Sequence, residues 1–236
     1  MKLSFTIQKI IQETPDIRSF ILSPNQPFQY KPGQFLTIVK GDVRRSFSFS
    51  SHPGDPLPRI TLKRIPNGEI SRWLFDTINV GDKIDTIEAS GLFTYPEDTS
   101  AFDTVMFFAA GSGITPIMSL MREALSRNDG LKIVLVYSSR SRQHIIFLKE
   151  LDELQKLHPD RLIVIHYLSS SMALEQARFS RRALEDLVEK YMTTPSRMLF
   201  YLCGPHVYMQ NITITLLTEG IPDDNIRREI FFNASS

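Results

Sequence analysis

Apolar positions follow two different periods along this chain. Up to about residue 90 they come as short runs or alternate with polar ones: Leu3–Ile10, Ile17–Leu22, Phe35–Val39, Ser46–Ser50, Ile60–Arg64 and Lys83–Glu88. That is the two-residue side-chain period of a strand. Turn formers separate the runs, as in Ser23-Pro24-Asn25, Lys31-Pro32-Gly33 and Pro53-Gly54-Asp55. About six short strands with turns at this spacing predict a barrel or sandwich. One short helix interrupts them, near Ser71–Ile78.

The second part reads differently. Apolar strands near Thr104–Ala110, Lys132–Tyr137, Arg161–Leu168 and Met198–Leu202 alternate with amphipathic segments near Pro116–Arg127, Ile145–Leu157, Arg181–Tyr191 and Val207–Glu219. Strand–helix alternation predicts a parallel sheet covered on both faces, with Arg228–Phe232 as a last strand. The polar stretch Pro96-Glu97-Asp98-Thr99-Ser100 separates the two patterns. The fold expected is therefore an all-β barrel domain over residues 1–99 followed by an α/β Rossmann-like domain over 100–236.

Composition narrows the classes. Of 236 residues, 42% are hydrophobic and 22% charged, with a formal net charge of +1. A globally basic nucleic-acid binder would carry more imbalance, so no nucleic-acid partner is expected. The single cysteine, Cys203, excludes an internal disulfide and a four-cysteine iron–sulfur cluster within this sequence. A reducing, cytoplasmic setting is expected. No apolar run approaches the roughly 20 residues of a spanning helix, and the N-terminus lacks signal-peptide features. The five histidines are scattered without ligand spacing, so no metal is expected.

Candidate chemistry starts after the strand Thr104–Ala110, at Gly111-Ser112-Gly113-Ile114-Thr115-Pro116. Glycines permit a tight turn and close approach of a phosphate to the backbone. Thr115 suits a helix N-cap and Pro116 a first helical position. Proline stands where the dinucleotide fingerprint has its third glycine, which leaves more room between loop and ligand. The following strand ends in Tyr137-Ser138-Ser139-Arg140-Ser141-Arg142. Arginines and hydroxyls without an acid favour a ribose 2′-phosphate, hence NADPH over NADH. A plain tight turn and a solvated loop are the bland alternatives.

In the first part, Arg45-Ser46-Phe47-Ser48-Phe49-Ser50-Ser51 would place Arg45, Phe47 and Phe49 on one strand face and the serines on the other. This segment resembles the Arg-x-Tyr/Phe-Ser motif of the ferredoxin–NADP reductase superfamily, in particular the flavodoxin reductases and oxygenase reductase components. Five further segments resemble the family in order: Pro32-Gly33-Gln34-Phe35, Lys63 to Ser71 with its Gly68-x-x-Ser71, Gly111 to Pro116, Cys203-Gly204-Pro205, and Glu229-Ile230-Phe231. Glu88-Ala89-Ser90-Gly91-Leu92-Phe93 matches only in part, lacking a proline.

The resemblance implies a flavin-binding Greek-key barrel, an NAD(P)-binding domain, and hydride transfer from NADPH or NADH to bound FAD or FMN. Arg45 would pair with a flavin phosphate, Phe47 would pack on the ring, and Ser48 would hydrogen-bond near N5, with Ser46 alongside. Lys63, Gly68, Ile70 and Ser71 would supply the phosphate segment. Gly111, Ser112, Gly113, Ile114, Thr115, Pro116, Ser138, Arg140, Cys203, Gly204, Pro205 and Phe231 would line the nucleotide site, with Ser48, Cys203 and Glu229 nearest the chemistry. Arg178 would reach a nucleotide phosphate. Electrons would pass to a separate ferredoxin, flavodoxin or oxygenase component. Two alternatives stand beside this reading: an electron-transfer subunit docked on a larger redox complex, and a flavin-free nucleotide-binding regulatory module.

Overall fold

A computed structural model describes residues 3–127, 129–170, 179–191 and 194–231. The chain divides into two compact units, Met1–Tyr95 with Met118–Glu123, and Pro96–Ile117 with Ala124–Ser236. The segment 118–123 counts with the first unit, a grouping that no sequence periodicity announces.

The first unit holds β1 (Leu3–Thr14), β2 (Ile17–Pro24), β3 (Phe35–Lys40), β4 (Val43–Ser48), β5 (Arg59–Lys63), α1 (Glu69–Asp76) and β6 (Lys83–Ser90). The antiparallel sheet runs β4-β3-β6-β1-β2-β5. Its two edge strands meet where Phe49 bridges Ile60 and the Ser50 amide donates to the Arg59 carbonyl at 2.8 Å, which closes the barrel. Strand β6 lies beside β3 after β4 and β5 have been passed, the Greek-key return. Alternate residues fill the interior: Phe5, Phe20, Leu22, Leu36, Ile38, Phe49 and Ile60 are buried in one cluster. Tyr30 stacks on Phe49 with ring centroids 4.0 Å apart and bonds Ser51 Oγ through its hydroxyl. Ser119, Arg122 and Glu123 belong to this unit through bonds to Ser51, Asp55 and His52.

Two expectations shift here. β4 starts at Val43, not Ser46, because Val43, Arg44 and Arg45 pair with Lys40, Val39 and Ile38 across a hairpin. Charged side chains on an exposed edge hide such a strand from apolar periodicity. The short helix starts at Glu69, two residues ahead of Ser71.

The second unit comprises β7 (Thr104–Ala110), α2 (Ile114–Ser126), β8 (Lys132–Ser139), α3 (Leu148–Leu157), β9 (Leu162–Leu168), α4 (Arg181–Tyr191), β10 (Met198–Cys203), α5 (His206–Thr218) and β11 (Ile226–Glu229). The parallel sheet runs β11-β10-β7-β8-β9. One face packs Met106, Phe108, Val134, Val136 and Phe200 against Leu184, Val188, Ile212 and Leu216 of α4 and α5. Val105, Phe107, Ile133 and Leu135 point the other way and are also fully buried, so both faces are covered. The third helix starts at Leu148 and not at Ile145. Ile145–Phe147 are buried in non-helical backbone, and Phe147 takes a left-handed φ of 60°. The last strand ends at Glu229; Phe232 lies outside the described residues. Among the described residues no helix is long and apolar enough to cross a membrane.

Candidate nucleotide and flavin sites

In the second unit the chain builds outward from β7 to β8 and β9, then returns to place β10 and β11 on the other side of β7. The strand order therefore reverses between β7 and β10, and the crevice beyond the carboxyl ends of two such strands is where open α/β sheets bind ligands. Those ends carry Gly111-Ser112-Gly113 and Cys203-Gly204-Pro205. The two glycines of the first loop do different work. A Cβ on Gly113 would lie 2.1 Å from the Cys203 carbonyl oxygen and 2.9 Å from the Gly204 nitrogen. Only glycine lets the loop seat on the end of β10. Gly111 has φ of +55° and a Cβ there would meet nothing within 4 Å, so its outer side is open.

Gly111–Gly113 form one 3-10 turn that runs directly into α2. Thr115 is therefore not an N-cap and Pro116 is not the first helical residue. They are the second and third residues of α2, and both are buried. The glycines wind into the helix one turn early, so the amides left at its start are those of Ser112 and Gly113, while the Ile114 amide donates to the Gly111 carbonyl. A helix start of this kind presents unpaired N–H groups and the positive end of the dipole to an anion. Open space above Gly111 and this amide row fit a pyrophosphate.

Cys203 closes β10, fully buried, in register with Glu229 on β11. Burial, and then the Glu229 charge, push its thiol well up. Cys203 is therefore held neutral at the strand end and is no nucleophile. Burial also raises the Glu229 carboxyl to about 7. A carboxyl raised in the folded state binds its proton more tightly there than in the unfolded chain. Its stabilising contribution is complete below the ordinary value and is lost as pH rises through about 7. Glu229 is only half-buried, so solvent screens part of the effect. The melting temperature should fall by roughly 2–4 °C between pH 5.5 and 8. Glu229→Gln should remove that slope in a scanning-fluorimetry series, and an unchanged slope would refute the assignment. Pro205 caps the start of α5, and Phe231 stands exposed just beyond β11.

At the carboxyl end of β8 the Ser138 side-chain oxygen is buried, whereas the Arg140 and Arg142 side chains are exposed and make no ion pair among the described residues. A shallow depression is lined by Ser141, Arg142, Gln143 and Leu148. His144 Nδ1 bonds Ser141 Oγ at 2.7 Å and steadies this loop. Arg178 lies outside the described residues.

In the first unit β4 pairs Phe47 with Leu36 and Arg45 with Ile38. Phe47 is half-buried and packs on the barrel core. Arg45 is exposed and makes no ion pair among the described residues. The Ser48 hydroxyl likewise makes no hydrogen bond among them, while Ser46 Oγ is engaged with Thr37 at 2.9 Å. Lys63 pairs with Asp16 at 3.2 Å. At the start of α1, Ser71 Oγ accepts from the Ile65 amide and donates to the Gly68 carbonyl, both at 3.2 Å. Gly68 at the N-cap makes no side-chain bond, and a Cβ there would lie 2.3 Å from Ser71 Oγ. Ile70 anchors the helix with its side chain in the core, leaving its amide at the helix start. A free guanidinium, a free hydroxyl and a second helix start fit a phosphorylated flavin. Inside an apolar strand Tyr137 reads as core, and its ring is fully buried, but its hydroxyl donates to the Gly111 carbonyl at 3.0 Å, a contact that the sequence does not signal.

The family described as "Oxidoreductase NAD-binding domain" matches residues 107–213. The ferredoxin reductase component of 3-ketosteroid-9-alpha-monooxygenase from Rhodococcus rhodochrous is 35% identical over 240 residues, covering 98% of this chain and 65% of the relative. Its counterpart in Mycolicibacterium smegmatis is 34% identical over 248 residues, covering 99% and 67%. The chain thus spans about two thirds of the length of these relatives. Among solved structures, a cytochrome P450 reductase of Amycolatopsis superposes with a TM-score of 0.86 at 23% identity, over 100% of this chain and 71% of that one. The ferredoxin-NADP+ reductase of Plasmodium falciparum gives 0.83 at 19% identity, over 98% and 96%. At these identities the two superpositions speak for the fold, and the sequence relatives speak for the lineage: the chain belongs to the ferredoxin–NADP reductase superfamily, alongside the ferredoxin reductase components of oxygenases.

Proposed function

We propose that the protein is an NAD(P)H-dependent flavoprotein reductase that delivers electrons to a separate acceptor, namely a ferredoxin, a flavodoxin or an oxygenase component. The observation that carries this is the seating of Gly113 on the Cys203 carbonyl, which sets a glycine loop and a helix start at the point where the strand order reverses. The relatives' description as ferredoxin reductase components points the same way. A single free cysteine suits a reducing, cytoplasmic setting.

When bound, the flavin supplies the chemistry that converts a two-electron donor into one-electron steps, and the protein supplies placement. Arg45 offers its guanidinium fork to a flavin phosphate, and the amides of Ile70 and Ser71 at the start of α1 add donors. Phe47 gives the ring an apolar wall, and the Ser48 hydroxyl is free to hold a hydrogen bond at N5. On the nucleotide side, Ser112 and Gly113 present amides to the pyrophosphate. Arg140, Arg142 and the serines at the end of β8 favour a 2′-phosphate, so we assign NADPH as the preferred donor and FAD as the flavin. Cys203 and Glu229 form a neutral wall below about pH 7 that keeps charge away from the nicotinamide.

Absorption spectra of the purified protein test this directly. A flavin band bleached anaerobically by NADPH faster than by NADH is the expected result. A band that neither donor bleaches would indicate a docked electron-transfer subunit. A protein that takes up neither FAD nor FMN would defeat the proposal. Arg45→Ala should weaken flavin binding roughly tenfold to a hundredfold, the value of a charge-assisted bond. Arg45→Lys should recover only part of it, because the fork is lost. Equal retention of flavin by all three proteins would remove Arg45 from the site.

A further inference from the structure

Tyr137 sits near the end of β8, fully buried, between the two loops assigned to the nucleotide. Its hydroxyl donates to the Gly111 carbonyl at 3.0 Å and accepts from the Ile146 amide at 3.3 Å. The first partner belongs to the phosphate loop. The second closes the segment Ser141–Phe147, which follows Arg140 and includes the left-handed Phe147. One oxygen therefore joins the phosphate loop to the loop carrying the candidate 2′-phosphate groups.

The consequence follows from peptide geometry. In a planar trans peptide the C=O and the next N–H point in opposite directions. With the Gly111 carbonyl turned inward to Tyr137, the Ser112 N–H of the same peptide is turned outward. Gly111 has no Cβ to restrict it and takes a φ of +55°, so the orientation of this peptide rests on the bonds that its carbonyl accepts. The Ile114 amide also donates to the Gly111 carbonyl, which secures the turn from within. Tyr137 adds the only link that also reaches Ile146 among the described bonds of this carbonyl.

We propose that Tyr137 is a positioning residue for the pyridine nucleotide: its hydroxyl sets the outward Ser112 amide and couples the phosphate loop to the 141–147 loop, so that the two halves of the nucleotide site set together. This rests on the reductase reading above, and the experiment separates the two. The wild-type protein must first show flavin bleaching by NADPH; its failure would sink the reductase reading before Tyr137 is tested. Tyr137→Phe keeps the ring and removes the two bonds. The dissociation constant for NADPH should rise about tenfold, the value of a strong buried hydrogen bond. The limiting rate of flavin reduction should stay within about twofold, since nothing that differs between ground and transition state is touched. Flavin content and spectrum should be unchanged. Unaltered NADPH affinity would overturn the proposal, and so would parallel losses in affinity and limiting rate.

A second measurement covers the case in which the variant does not fold. Inorganic pyrophosphate, which carries no ribose 2′-phosphate to engage the second loop, is added to the wild-type holoprotein and amide hydrogen exchange is followed. Protection should increase at Ser112 and Gly113 and at Ile146 together. Protection confined to Ser112 and Gly113 would show that the two loops are not coupled through Tyr137.

Discussion

Gly113→Ala should abolish efficient use of NADPH while leaving the flavin in place. The added Cβ would lie 2.1 Å from the Cys203 carbonyl oxygen and 2.9 Å from the Gly204 nitrogen, and both are backbone atoms of a strand end. No flexible side chain can move aside, so the glycine loop itself must lift. Overpacking of this kind costs about 1–3 kcal/mol of stability. The functional loss is larger than that, because a shift of about 1 Å in a positioning element costs on the order of a hundredfold in rate. Stopped-flow reduction by NADPH should therefore slow about a hundredfold. Gly130→Ala is the control. Gly130 lies outside the glycine loop, has φ of +74° and would meet nothing within 4 Å, so its cost is only the left-handed backbone, about 1–2 kcal/mol, with a much smaller change in rate. Wild-type reduction rates in Gly113→Ala would show that the contact with β10 does not position the nucleotide.

The two-part architecture was legible in the sequence because the hydrophobic period changes from two to that of alternating strands and helices. The barrel strands Phe35–Lys40 and Arg59–Lys63 and the central strands of the parallel sheet fall where the apolar runs put them. What escaped was whatever depends on atoms far apart in the chain. The helix start is not visible in the sequence, because glycine gives no side-chain signal that Gly111–Gly113 will wind into a 3-10 turn. The extension of β4 to Val43 was hidden by its arginines, and the late start of α3 by Ile145 and Ile146, whose apolar side chains suit a helix as well as a buried extended segment. Gly113 stood out as a phosphate-loop residue, yet its reason for being glycine is the Cys203 carbonyl, 90 residues further on. The bond from Tyr137 to the Gly111 carbonyl could not be found at all without coordinates, since its ring belongs to the core and only its oxygen reaches the glycine loop.

The same reasoning gives the largest expected effect on the barrel unit, at Gly33 in the Pro-Gly-Gln-Phe turn. Gly33 has φ of +87°, and a Cβ there would lie 1.8 Å from the Phe93 carbonyl oxygen and 3.0 Å from Leu120 Cδ2. Gly91 returns the contact from the other side: its Cβ would lie 3.1 Å from the Phe35 ring. The turn before β3 and the loop after β6 are thus fitted into each other, which accounts for a glycine in each although the family-like proline near Gly91 is missing. Gly33→Ala combines a disfavoured backbone with a clash against main chain, and should cost about 4 kcal/mol or prevent folding of the unit. Denaturant titration should show it, and the flavin should be lost with the barrel that carries Arg45 and Ser48. Gly81→Ala isolates the backbone part. Gly81 has a similar φ of +96° but nothing within 4 Å of its Cβ, so it should cost only about 1–2 kcal/mol. The difference between the two variants measures the contact with Phe93. Equal costs would mean that the turn has room to yield, and that the glycine of this motif is there for its backbone angle alone.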